Sequence, residues 1–152
     1  MTVSLSTGLR NGMLNATGFT TAFTNGVLYI YSGPQPLNAD QAVQGTLLGI
    51  VTKSAGSFSF GTSTNGLNFG TPAAGVVAKD SNAWQMVAIA SGTAGWFRLM
   101  GNATDSLGSS TTLPRMDGSI ATAGGDLNMS TVNIVASAPT TIDVFQFTLP
   151  AS

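Results

Sequence analysis

The chain contains no histidine, no cysteine and no glutamate. The missing histidine excludes a Ser-His-Asp triad, a Cys-His pair and a His-ligated zinc site in one step. The missing cysteine excludes a disulfide framework and leaves the redox compartment open. The missing glutamate leaves Asp40, Asp80, Asp105, Asp117, Asp126 and Asp143 as the whole set of acidic side chains. A glycosidase needs two carboxylates facing one bond, and no motif marks such a pair. Lys53 and Lys79 lie in no motif that suggests a Ser–Lys dyad, and no glycine-rich phosphate loop follows a strand. The sequence is therefore read as that of a non-enzyme that needs no cofactor.

Charge is also scarce. Charged residues make up 7% of the 152 positions, against roughly 25% in an ordinary globular domain. A free protein uses surface charge to stay dispersed. A surface of Thr, Ser, Asn and Gly suits a subunit held in a large assembly, although a small secreted β-domain shares that composition. Arg10, Lys53, Lys79, Arg98 and Arg115 stand singly. Nucleic-acid binding needs such residues clustered, so no nucleic-acid partner is expected. No apolar run approaches the ~18 residues of a membrane span. The opening MTVSLSTGLRNGML lacks the pattern of a signal peptide. The expectation is synthesis in the cytoplasm and no membrane.

What is present reads as β structure in a single domain, residues 1–152. Leu5, Leu9 and Met13 form an apolar stripe four residues apart, which predicts a short helix from Ser6 to Ala16. Phe19 and Phe23 continue the stripe. Asn25-Gly26 and Asn65-Gly66 are turn signals. Strands are predicted over Val27–Tyr31, Thr46–Thr52, Ser57–Gly61, Trp84–Ala90, Trp96–Met100, Asp117–Ala121 and parts of Leu127–Val135. Trp84–Ala90 and Trp96–Met100 look like the two arms of a hairpin. Thr141–Leu149 changes its alternation midway, as a strand does when it passes between sheet edges. Short strands at spacings near ten residues argue for an all-β sandwich of jelly-roll type carrying a short N-terminal helix.

Alternation within these runs predicts a core of Leu28, Ile30, Phe58, Phe60, Val87, Ile89, Phe97, Leu99, Phe145 and Phe147. Trp96, Arg98 and Met100 share the opposite face of their strand. That mixture is frequent at subunit contacts, and with Val3 and Leu5 they form the predicted interface. Trp84, Trp96 and Phe97 are also weighed as a sugar-stacking platform, less favoured than core or subunit contact. Asp117-Gly118 and Gly125-Asp126 with Asn128 are weighed as a calcium site. Ordinary turn chemistry is the better reading, so no metal is expected.

Eight runs in order, GLRNGMLNATG, NGVLYIYSGPQP, ADQAVQGTLLG, TNGLNFG, GTAGWFRLMGNATD, LPRMDGSI, GGDLNMS and TTIDVFQFTLP, resemble a family of small virion proteins of tailed bacteriophages and prophages. The resemblance extends from Gly8 to Pro150. It implies a place in the virion and, for some members, head decoration: cement proteins that bind the outside of the capsid. The partners it implies are the major capsid protein and further copies of this chain, a trimer before a dimer. The second reading is a tail or baseplate component with a receptor-binding or sugar-binding β-domain.

Overall fold

A computed structural model describes residues 3–151. The fold is all-β with two short helices. Its strands are β1 (Ser4–Leu5), β2 (Val27–Ser32), β3 (Leu47–Lys53), β4 (Val76–Ala78), β5 (Trp84–Val87), β6 (Gly92–Met100), β7 (Arg115–Ala121), β8 (Leu127–Asn128), β9 (Asn133–Ile134), β10 (Pro139–Ile142) and β11 (Gln146–Thr148). The helices are α1 (Thr7–Leu14) and α2 (Phe19–Ala22). Nine strands form one sheet with the main order β1-β7-β6-β2-β3-β5-β10, while β8 pairs with β7 and β9 with β6. Strands β4 and β11 make a separate antiparallel ribbon.

The predicted helix begins and ends for local reasons. The Ser6 side chain accepts the Leu9 N–H at 3.1 Å and caps α1. Asn15 closes it, with its backbone N–H bonded to Asn11 and Gly12. Gly18 then opens the separate single turn of α2. Both Asn-Gly turns form, with Asn25 and Asn65 at φ 53° and 57°. Asparagine tolerates that left-handed backbone better than most residues. The two turns also bond each other through Gly26 and Leu67.

One face of the sheet carries the apolar core. Leu28 and Ile30 on β2 stand beside Leu99 and Phe97 on β6, and these beside Met116 and Gly118 on β7. Across from them pack Leu9 of α1, Phe19 of α2, Phe23, Leu67, Val77 of the ribbon, and Phe145. Gly118 is required by this packing, because a Cβ there would lie 2.6 Å from Phe97 Cζ. Phe145 touches the rings of both Phe97 and Trp84, with centroids 5.4 and 5.5 Å apart.

The structure corrects four core assignments. Phe58 and Phe60 lie in the loop after β3, half-buried and edge-to-face with each other. Val87 and Ile89 are 53% and 57% exposed. Their alternation is real but its sense is reversed: Trp84, Met86 and Ala88 turn inward. Leu28, Ile30, Phe97, Leu99 and Phe145 are buried as expected, and Phe147 is partly buried against the core. The predicted hairpin is also absent. Strand β5 lies between β3 and β10, and β6 lies between β2 and β7. The turn-like run Gly92–Gly95 belongs to β6. Thr141–Leu149 does pass between sheets, since β10 edges the large sheet and β11 joins β4.

Candidate interaction surface

The second face of the sheet decides what the molecule can present to a partner. Trp96, Arg98 and Met100 of β6 point to this face, beside Tyr31, Tyr29 and Val27 of β2 and Ser119, Asp117 and Arg115 of β7. All three interface candidates on β6 are buried inside the subunit: Trp96 and Arg98 at 0% exposure and Met100 at 1%. They are unavailable to a partner, which corrects the sequence reading. The reason lies in two long connections, residues 33–46 and 101–114, which fold over this face. They are tied to each other by Val43 N–H donating to Leu107 and Ser110 N–H donating to Asp40.

Beneath them sits an ionic layer. Arg98 forms a two-pronged pair with Asp117, Nε to Oδ1 and Nη2 to Oδ2, both 2.7 Å. Arg115 pairs likewise with Asp105 of the covering connection, at 2.7 and 2.6 Å. Its third nitrogen reaches the Ala39 carbonyl of the other connection at 3.5 Å. The fork geometry matches guanidinium to carboxylate. Tyr31 stacks on Trp96 at 4.7 Å between centroids, and the Arg98 guanidinium lies 5.6 Å from the Trp96 ring. Burial pushes the Asp117 carboxyl above its ordinary range, against the hydrogen bonds and charge of Arg98 and the charge of Arg115. Burial likewise raises both Tyr29 and Tyr31.

The other end of this layer is anchored by Ser6. Its hydroxyl accepts from Arg115 N–H and donates to the Leu113 carbonyl, at 2.9 and 2.8 Å. Asp40 accepts from the Thr7 N–H and hydroxyl at 2.7 and 2.6 Å. Val3 and Leu5, the remaining interface candidates, are partly buried against the core and help line a shallow hollow with Arg10, Gln35 and Leu37. Of the five predicted interface residues, the structure leaves only these two within reach of solvent.

Several carboxylates are committed to partners within the chain. Asp105 and Asp117 are each neutralised by an arginine. Asp126 accepts from the Ser119 N–H and hydroxyl. The two carboxylates weighed for calcium are thus each committed to a different partner, and no three acidic side chains group together among the described residues. Trp84 and Phe97 are core residues, and Trp96 lies under the connections, so the sugar-platform reading has no exposed ring to use.

The exposed apolar surface lies elsewhere. Among the described residues, Leu14, Leu37, Val87, Ile89, Val135, Val144 and Leu149 are more than half exposed. An apolar groove of about 320 Å³ runs between α2 and the ribbon, lined by Met13, Phe19, Val76, Phe147 and Leu149 among others. A second hollow of about 240 Å³ is bounded by Tyr29, Ile50, Phe58, Val87 and Ile89, with no ionisable group except the Tyr29 hydroxyl. Sequence reasoning placed Phe58, Val87 and Ile89 in the core. For Phe58 the glycine and serine on either side were the signal that it lies outside the core. No helix among the described residues is long and apolar enough to cross a membrane. Comparison with family models, curated proteins and solved structures finds no match to this chain.

Proposed function

We propose that this chain is a structural protein of a tailed-phage virion that decorates the outer capsid surface and stabilises the mature shell. The observation that carries the reading is the scarcity of surface charge. Of eleven charged side chains, four are spent on the two buried ion pairs. Seven remain to keep a surface of Ser, Thr, Asn, Gly and exposed Val and Leu in solution. Such a surface is poorly suited to a free existence at high concentration and well suited to continuous contact with other subunits. The resemblance of the runs from Gly8 to Pro150 to small virion proteins supplies the location. The finer architecture belongs to the same proposal: a sandwich of jelly-roll type in which the β4–β11 ribbon and α2 form the second layer.

A cement protein acts by mass action. It binds the expanded lattice and not the precursor, so each bound copy shifts the equilibrium toward the mature form. Several modest contacts suffice when the protein docks as an oligomer. Because little of the contact is ionic, rising salt weakens it only slightly. The tail or baseplate reading stands second, since apolar hollows and a β-rich fold serve either place. The test is removal: particles lacking the protein lose resistance to heat and osmotic shock, and purified protein added back restores it. Unchanged resistance would remove the cement role.

A further inference from the structure

Four of the seven exposed large hydrophobic side chains surround one edge of the nine-stranded sheet. Strand β10 is that edge: among the described residues it pairs with β5 on one side and with no strand on the other. Val87 lies opposite Pro139 on the neighbouring strand, Ile89 follows two residues later, Val135 is in the turn before β10, and Val144 lies just past its end. Their exposures run from 53% to 64%. No charged residue lies within β10. Natural edges are protected by charge, bulges or cover. This one has its shortness, Pro139 and the flanking Asp143.

The direction of its free groups follows from one bond. Ala88 N–H donates to the Ala138 carbonyl at 3.0 Å. Bonded and non-bonded pairs alternate along an antiparallel ladder. Thr140 and Ile142 therefore turn their backbone groups toward β5, and Thr141 turns its N–H and C=O outward. We propose that this edge is the contact through which two copies of the chain associate, β10 against β10 antiparallel about a two-fold axis at Thr141.

The sequence of the edge selects a second copy as occupant. With Thr141 opposite its own symmetry mate, Pro139 falls opposite Asp143 and Ala138 opposite Val144. No like charges meet, and a threonine pair occupies the centre, a favourable cross-strand combination. Pro139, which has no N–H to give, sits at the end of the pairing, where it is least costly. Val144 of each copy meets the turn that holds Val135 in the other. The contact is isologous, so it closes at two copies. A ring of three would need a different surface.

The test uses the free chain, so its outcome is independent of any binding to capsids. Sedimentation velocity over a concentration series is expected to show twice the 15.4 kDa chain mass. Thr141 is exposed, so Thr141→Asp and Thr141→Lys leave the subunit folded by circular dichroism. Each alone places like charges at the axis and weakens self-association by roughly tenfold or more. Mixing the two variants restores a dimer, because Asp and Lys then face each other. Two results would overturn the proposal: a wild-type chain that stays monomeric at high concentration, or a dimer that neither variant weakens.

Discussion

The two faces of the large sheet are buried by different chemistry. One face is closed by side chains alone: Phe97, Leu99, Leu28 and Ile30 meet α1, α2 and the ribbon. Over β2, β6 and β7 the other is closed by two irregular connections, which bring a carboxylate and a carbonyl to Arg115, while Arg98 is paired by Asp117 of the neighbouring strand. An apolar face is stabilised in proportion to the area it removes from water. An ionic face gains little net free energy from its pairs, because desolvation offsets attraction, yet loses heavily when one partner is removed. The difference teaches that polar residues on a strand do not by themselves mark an outward surface when a long loop can deliver their partners.

Mutations on each face separate these mechanisms. Phe97→Ala on the apolar face costs about 3–5 kcal/mol, read from urea denaturation. Asp117→Ala on the ionic face costs a similar ~3–5 kcal/mol, because it leaves the Arg98 cation buried and uncompensated. The double replacement Arg98→Met with Asp117→Leu restores most of that loss, since no charge is then left unpaired. A small effect of Asp117→Ala would show that the face is hydrated and that the connections do not seal it.

Gly118→Ala tests how closely the apolar face is packed. The added methyl meets the Phe97 ring, and overpacking of this kind costs ~1–3 kcal/mol. The same change on an open face would be neutral.

The tyrosines test the ionic face without altering it. Burial raises Tyr29 and Tyr31 in the folded chain, so above about pH 10 the unfolded chain releases these protons first. Stability present below that pH is then lost as pH rises. The urea midpoint is expected to fall between about pH 9 and about pH 11, and Tyr31→Phe is expected to flatten the fall. An identical slope in the variant would show that Tyr31 is not held neutral. The carboxyl of Asp117 is also raised by burial. It contributes stability below its ordinary range that declines as pH rises, so its titration does not drive acid unfolding.

The smallest effects are expected at Val87→Ser and Ile89→Ser. Both side chains are more than half exposed, and substitutions outside the core change stability by about 0.5 kcal/mol or less. A loss of core size at either position would return them to the interior.

The apolar face was largely legible in the sequence because alternation reports it directly. The stripe Leu5, Leu9 and Met13 located α1, the run Val27–Tyr31 located β2 within a residue, and Trp96–Met100 located the second half of β6, which begins four residues earlier at Gly92. The ionic face was not legible. Arg98 and Asp117 are neighbours only because β6 and β7 pair in one register, and sequence does not state pairing. Residues 101–114 have the polar composition of a surface loop, yet Asp105 within them is buried on Arg115. Phe58 and Phe60 alternate but lie in a loop: glycine and serine around them supply no strand partner, and alternation without a neighbour does not make a strand. Val87 and Ile89 were misplaced because β5 is a strand near the edge whose outer face no element covers, so its apolar alternation has two possible senses. The candidate contact surface fared worst, since three of its five residues lie under the connections.

The capsid role turns most directly on how many copies a particle holds and where they sit. Quantitative mass spectrometry of purified virions, paired with imaging of the particle surface, measures both. A decoration protein occupies repeated lattice positions and is present in on the order of hundreds of copies on the outside of the head. A handful of copies confined to the tail or baseplate would contradict the decoration role.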